Sequence, residues 1–442
     1  MVKIDEYLNI PGKFTLADVP DMIINGNLSM DGKNVVFNCM VDSEKSQLLK
    51  RHNMVIYGQI EGKDITLLNA GCRNCRSAGI PESKITYFKI EPYEIILGKA
   101  FHEEPTVKRI SANINVLVNM FSHSPLKMTT PSEENPSVLK YVPSDILTAE
   151  DDEGIIRLYQ TFGLAFNRNK EEFPIIPCVE YVFHEDTLLM NAVAKIACAR
   201  NLFSFFADYY IPLENFTFSE EDNDTDHRFT LLLNHSEDIE TKNELFIIRT
   251  DMFQSNFDII WKEWCSLYKE ALYIPTLFYE IICNRSTRIN RFLNLVQAID
   301  VYSVHYRDQE ARAGSNKKKY LDEKNLLPLS FRIHDILTWL NDYIDLTADE
   351  IYNLSKNISD YRNYFTHFNP KLYVEPSFQE MSAASRILQF VLLAIIYKKV
   401  GISDEQIKNA KKYYSYGSLS NDLSIVLKKT NSNDFYYMFS SP

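Results

Sequence analysis

Three side chains of complementary chemistry fall within six positions of the stretch Ser359-Asp-Tyr-Arg-Asn-Tyr-Phe-Thr-His-Phe-Asn-Pro370: Arg362, Asn363 and His367. An imidazole exchanges its proton near neutral pH. His367 can therefore take the proton of a ribose 2′-hydroxyl or supply one to a leaving 5′-oxygen. A guanidinium holds a phosphate by two hydrogen bonds and stabilises the charge that develops on it. The Asn363 amide can orient the phosphate or the ring. None of these roles needs a metal, and together they suit cleavage of an RNA phosphodiester. On a helix, Asn363 and His367 are four apart and share a face. Arg362 lies about 140° round from His367, so its guanidinium has to bend toward that face or meet a histidine across a dimer interface. Of the nine histidines, only His367 has an arginine five residues before it. The ordinary reading of the same residues is a helix end whose His and Arg bond the last carbonyls and offset the macrodipole.

Other residues invite weaker readings. Arg307, Arg312, Lys317, Lys318 and Lys319 lie in one basic stretch that could track phosphates or face solvent. Arg285, Arg288 and Arg291 recur every third residue as a basic stripe on one helix, open to the same two readings. Cys72-Arg-Asn-Cys75 is a lone Cys-x-x-Cys without a second pair at matching spacing, so no metal is assigned, although Cys39 and His52 could join it in space. His334 is read as a structural histidine. Phosphate-binding glycine loops, the Gly-x-Ser-x-Gly elbow and His-Glu-x-x-His are absent from the sequence, so no cofactor is expected.

The elements that position the Arg-Asn-His set are helical. From about Phe253 apolar residues recur at i, i+3, i+4 and i+7, first over Phe257 to Leu272, then over Ile289 to Tyr306 and Ser330 to Tyr343. Three later helices open on capping boxes: Thr347-Ala-Asp-Glu350, Ser377-Phe-Gln-Glu380 and Ser403-Asp-Glu-Gln406. The first leads into the Arg-Asn-His stretch, with Pro370 just past it. Gly401 can end the second.

The front of the chain has the period of strands. Asp31-Gly32 separates two apolar runs, and Glu61-Gly62-Lys63 repeats the arrangement, both hairpin signals. Residues 124 to 154 are rich in Pro, Ser, Thr and Glu and read as a linker or long surface loop. Strand-like Ile175 to Phe183, an apolar helix from Thr187 to about Tyr209 and strand-like Phe229 to Leu233 follow. The domains expected are a β-rich one over 1–123, a proline-rich and mixed α/β segment over 124–252, and a helical one over 253–442.

Bulk properties agree with this layout. A length of 442 residues predicts two or three domains, and 45% hydrophobic content excludes a chain dominated by disorder. Net charge is −12, yet from Ile281 onward there are 21 basic side chains against 17 acidic ones. An acidic front is thus joined to a mildly basic back, where a polyanion fits better. The longest apolar run, Ile387 to Tyr397 around Gln389, falls short of the ~20 residues a membrane span needs. The acidic start of the chain lacks a secretory segment, and seven cysteines fit a reducing compartment. A cytoplasmic location without a membrane partner is expected.

Arg-Asn-x-x-x-His near the end of a capped helix in a small bundle resembles the HEPN superfamily of ribonucleases and their inactive nucleotide-binding relatives. The chain is further similar to the ApeA-like branch, of bacterial anti-phage defence. That likeness rests on Phe257-Asp-Ile-Ile-Trp261, then Phe292-Leu-Asn-Leu-Val-Gln297-Ala-Ile-Asp300-Val-Tyr302, then Arg362-Asn363 and His367. The early segments Ile56 to Leu68 and Tyr93 to Phe101 look like the start of the same family.

The resemblance implies an α+β protein, with a β-rich, sandwich-like front, a mixed middle and a C-terminal all-α HEPN bundle. It implies abortive infection by cleavage of host RNA, often tRNA, leaving a 2′,3′-cyclic phosphate. It implies a homodimer or higher homo-oligomer pairing two Arg-His sets in one cleft, with a phage-derived trigger sensed at the N-terminal region. Asp300 stands where relatives carry Glu, and the resemblance offers it as a third catalytic partner of Arg362 and His367. The alternative is a catalytically silent HEPN module that pairs with a protein or nucleotide.

Overall fold

The hairpin signals become tight turns. Gly32 has φ 66°, Glu61 50° and Gly62 78°, the left-handed backbone in which glycine carries no Cβ penalty. The first turn joins two of six opening strands: β1 (Pro11–Leu16), β2 (Val19–Asp31), β3 (Asn34–Asp42), β4 (Met54–Ile60), β5 (Lys63–Ser77) and β6 (Ile85–Glu91). The second joins β4 to β5. Hydrogen bonding runs β4-β1-β2-β3-β6, and the long β5 pairs with both β4 and β6, which closes a ring. Alternation then sends Phe14, Ile24, Phe37, Ile56, Leu67 and Phe88 into one buried core.

This computed structural model describes residues 3–77, 85–114, 126–128, 139–141, 147–162, 165–167, 170–172, 175–221, 228–234, 250–283, 286–308, 321–322, 326–367, 375–414 and 419–427. The strands beyond the ring are β7 (Glu94–Leu97), β8 (Thr106–Asn113), β11 (Leu147–Asp151), β12 (Gly154–Phe162), β15 (Ile175–Leu188), β16 (Glu214–Ser219) and β17 (Phe229–Leu233). Two small hairpins lie between them, β9 (Leu126–Met128) with β10 (Leu139–Tyr141), and β13 (Ala165–Asn167) with β14 (Lys170–Glu172). From β5 the sheet continues through β7, β17, β16, β8, β15, β12 and β11, so strands on both sides of residue 124 share one thirteen-stranded sheet. Asn234 pins part of this arrangement. Buried, it accepts from Val35 N–H at 2.5 Å and donates to the carbonyls of Val35 at 2.7 Å and Pro92 at 2.8 Å.

The chain packs as two units, Met1–Arg200 with Ile211–Glu240, and Asn201–Tyr210 with Thr241–Pro442. The apolar helix α1 (Leu189–Ala207) runs from one to the other. The second unit is otherwise helical: α2 (Thr250–Glu270), α3 (Tyr273–Ile282), α4 (Arg288–Tyr306), α5 (Leu329–Trp339), α6 (Asn341–Ile344), α7 (Ala348–His367), α8 (Phe378–Lys399), α9 (Asp404–Tyr414) and α10 (Leu419–Leu427). The protein is therefore α+β, a β-rich barrel and sheet region followed by a helical region, as the sequence predicts. Helix α2 buries Phe253, Phe257, Ile260, Trp261 and Trp264, one stripe at helical spacing. Phe205 of α1 stacks on Phe278 at 3.9 Å between ring centres and meets Trp264 edge-on at 5.0 Å.

Helix α8 extends the interrupted apolar run to 22 residues. By length and composition it could cross a membrane, but 89% of its apolar window is buried inside the structure. Its apolar character is accounted for by the bundle core. Two of the three capping boxes form. Thr347 and Glu350 bond reciprocally, as do Ser377 and Glu380. At the third, Gln406 N–H bonds the Ser403 carbonyl, while the Gln406 side-chain nitrogen is buried without a hydrogen-bond partner. Gly401 ends α8 at φ 83°, and Ile402 N–H bonds the Tyr397 carbonyl, a Schellman closure.

Candidate functional site

Helix α7 presents the Arg-Asn-His set because its other faces are committed to packing. Ile351, Leu354, Ile358 and Tyr361 form its buried stripe. At its last turns, Phe292 of α4 lies 6.4 Å from both the Tyr361 and Phe365 rings. This wedge fixes the angle at which the polar residues between them emerge.

Arg362 and Asn363 are half-buried and His367 is exposed. Arg362 Nη1 donates to Asn363 Oδ1 at 3.2 Å. That bond draws the guanidinium off its own direction and toward the face that Asn363 shares with His367. The Thr366 hydroxyl donates to the Arg362 carbonyl at 2.9 Å and lies 3.4 Å from that of Asn363. Among the described residues, neither Arg362 nor His367 makes the bond to a helix carbonyl that such side chains can make at a helix end. His367 makes no hydrogen bond or ion pair there. A cation, an amide and an imidazole thus face outward together from the end of α7.

The other predicted residues fare differently. Asp300 is engaged by another helix. Eight residues after Phe292 on α4, it lies about 12 Å further along that helix at 1.5 Å per residue. Its Oδ1 accepts from Arg332 Nε of α5 at 2.5 Å, and Arg332 also bonds the Leu327 carbonyl. Gln297 is exposed. Arg307 forms a two-bond pair with Asp335 at 2.7 and 3.1 Å, stands 5.0 Å from the Trp339 ring centre, and is 13% exposed. Arg312, Lys317, Lys318, Lys319 and Arg285 lie outside the described residues. His334 is half-buried on α5, and burial lowers its pKa against the pull of Asp335. Cys72 and Cys75 sit on β5. Burial first, then Cys75, raises the Cys72 thiol, and burial pushes Cys39 up to about 12. No metal-holding group of three His, Cys, Asp or Glu occurs among the described residues.

Residues outside the motif make further contacts on α4, α7 and α8. Arg288, first residue of α4, lays its guanidinium 3.8 Å above the Phe378 ring at the start of α8. The basic stripe made Arg288 visible in the sequence; Phe378 carried no signal beyond its place after a capping serine. Tyr364 bonds Glu375, and desolvation and then that carboxylate raise its hydroxyl pKa. The Tyr361 hydroxyl is buried without a hydrogen-bond partner. Burial, with Glu380 and Asp360 behind it, holds that hydroxyl well above the usual phenol range. Arg291 donates to the buried Gln389 at 2.5 Å and is thereby tied to the core of α8.

A second candidate lies on the barrel, a groove of about 810 Å³. Strand register builds its floor. Asn27, Asn38, Lys89 and Asn74 stand in one cross-strand row, and Asn25, Met40, Tyr87 and Arg76 in the next. Met40 and Tyr87 are 53% and 49% exposed, large apolar surface that a solvated sheet face would ordinarily avoid. Lys89 is paired with Asp31 at 2.6 Å.

A family model described as ApeA N-terminal domain 1 matches residues 9–264, and one described as Apea-like HEPN matches residues 293–406. No curated protein and no solved structure matches the chain.

Proposed function

The chain belongs to the ApeA family and carries its HEPN domain, the build of an anti-phage effector, and from that premise we propose that it is a metal-independent endoribonuclease. The observation that carries the reading is the set of Arg362, Asn363 and His367 at the end of α7, in which Arg362 bonds Asn363 and, among the described residues, neither Arg362 nor His367 bonds a helix carbonyl. His367 takes the proton of a ribose 2′-hydroxyl. The 2′-oxygen attacks phosphorus, the bond to the 5′-oxygen breaks, and a proton returns to that oxygen. The products are a 2′,3′-cyclic phosphate and a free 5′-hydroxyl. Arg362 holds the non-bridging oxygens and stabilises their added charge, and its bond to Asn363 sets the direction of approach. A single imidazole cannot both accept the first proton and already hold the second. A second copy of the chain supplies the other His367, which is why a homodimer of the helical unit belongs to the proposal. Host tRNA is the substrate class we assign, and the barrel groove is where we place contact with a phage-derived trigger. Its exposed Tyr and Met beside Arg are residue types enriched in protein interfaces.

The test is incubation of purified protein with tRNA and total RNA in EDTA, alongside Arg362→Ala and His367→Ala. Cleavage that needs no metal and is abolished by either substitution, with the fold retained by circular dichroism, is expected. Cleavage that survives His367→Ala, or none in the presence of phage lysate as activator, refutes the reading.

A further inference from the structure

We propose that Arg288 and Phe378 form a stacking platform for a nucleobase next to the scissile phosphate. The inference rests on the reading that the end of α7 acts on RNA. Phe378 is 54% exposed although it opens a helix whose following residues are almost all buried. The capping box at that position uses Ser377 and Glu380 and has no need of an aromatic ring. Arg288 is exposed as well, and among the described residues it makes no hydrogen bond or ion pair. The guanidinium 3.8 Å from the ring centre is in cation–π contact. An arginine held against an aromatic ring keeps N–H groups available for a phosphate, and guanidinium planes and aromatic faces are the surfaces on which unpaired RNA bases stack.

Position ties the pair to the motif. Arg288 precedes Phe292 by one turn, about 6 Å along α4, and Phe292 is the residue wedged against Tyr361 and Phe365. On the other side, Glu375, three residues before Phe378, holds the Tyr364 hydroxyl. Each partner is thus a few residues along its own segment from a residue, Phe292 or Glu375, that contacts Tyr361 or Tyr364, the neighbours of Arg362 and Asn363 in the chain. Asp300, by contrast, is about 12 Å from the same wedge. A base resting on Phe378 while its phosphate meets Arg362 is the arrangement this geometry favours, and it selects for unpaired nucleotides, since a base within a duplex offers no open face.

The test measures binding apart from turnover. Full-length protein carrying His367→Ala is titrated in EDTA against a fluorescein-labelled tRNA and a labelled single-stranded 12-mer RNA, followed by anisotropy. Adding Phe378→Ala is expected to weaken both about tenfold, and Phe378→Trp to restore binding. Arg288→Gln is expected to weaken binding several-fold and to lower the salt dependence by about one phosphate contact. Tyr273→Ala, 69% exposed on α3, serves as the control and is expected to change nothing. Binding of Phe378→Ala within twofold of its parent overturns the proposal, as does absence of RNA binding by the parent. So does a loss that tracks a change in oligomeric state by sedimentation, because the pair would then be a subunit contact. Cleavage of the labelled RNA by His367→Ala, read on a gel of the titrated RNA, refutes the ribonuclease reading, whereas intact RNA with unchanged binding by Phe378→Ala refutes the platform alone.

Discussion

Asp300 is where family resemblance and geometry part, and one substitution series separates them. The resemblance offers a catalytic carboxylate; the structure pairs Asp300 with Arg332 at 2.5 Å, with side-chain exposures of 30% and 12%. An exposed ion pair contributes about 0–1 kcal/mol, and breaking a buried one from one side costs about 3–5 kcal/mol. This pair lies between those limits, so Asp300→Ala is expected to cost ~2 kcal/mol, chiefly by leaving the Arg332 cation without its partner. For a unit of about 200 residues that lowers Tm by about 4–8 °C. Asp300→Asn keeps an oxygen for Arg332 and is expected to cost less than about 1 kcal/mol. Asp300→Ala combined with Arg332→Leu should recover more than half of the loss, a double-mutant cycle read by calorimetry. In the RNA-cleavage assay, Asp300→Asn should retain kcat/KM within about threefold, whereas removal of a general acid or base costs about 100-fold or more. Loss of activity on that larger scale with Tm unchanged would refute the structural role and return Asp300 to the reaction.

Three further outcomes follow from buried and half-buried polar groups. Asn234→Ala removes three hydrogen bonds that hold Val35 and Pro92, and is expected to destabilise the barrel unit by ~3 kcal/mol, measured by urea unfolding. Tyr361→Phe removes a buried hydroxyl without a hydrogen-bond partner and should raise stability by about 1 kcal/mol; a lower Tm would mean that the hydroxyl is satisfied. Burial raises the pKa of Asp360 above its usual 3.8, against the opposing pull of Lys356. The folded state then holds that proton more tightly than the unfolded one, so the stability it contributes is complete below the unfolded pKa and is lost as pH rises through the folded pKa. Asp360→Asn should therefore stabilise more at pH 8 than at pH 4.5 in parallel urea titrations, and the opposite order contradicts the assignment.

Much of the layout was legible because its causes are local. The Asp31-Gly32 turn, the apolar stripe of α2 and the Thr347 and Ser377 caps each depend on residues within a few positions of one another. The third cap shows the limit of such signals, since Ser403 and Gln406 have the right spacing yet Gln406 is drawn into a buried place where its side-chain nitrogen finds no partner. The site was legible only in part. Spacing identified Arg362, Asn363 and His367 and left open whether Arg362 could reach the others, because rotation about the helix sets where a side chain begins and packing sets where it ends.

By itself, then, the sequence determined the strand-rich front, the helical back, the helix that carries the Arg-Asn-His set and the residue types available for chemistry. Only the tertiary structure decided that β5 closes a ring by pairing with β6 and that the strands beyond residue 124 extend the same sheet. It also decided that Asn363 bonds the Arg362 guanidinium, that Arg332 claims Asp300, and that Phe378 meets Arg288. Apart from the neighbouring Arg362 and Asn363, these partners are far apart in the chain: Asp300 and Arg332 by 32 residues, and Leu233 of β17 faces Glu94 of β7. No local pattern encodes such meetings; they follow from how whole elements bury their apolar faces, which leaves each polar side chain whatever neighbour that packing brings.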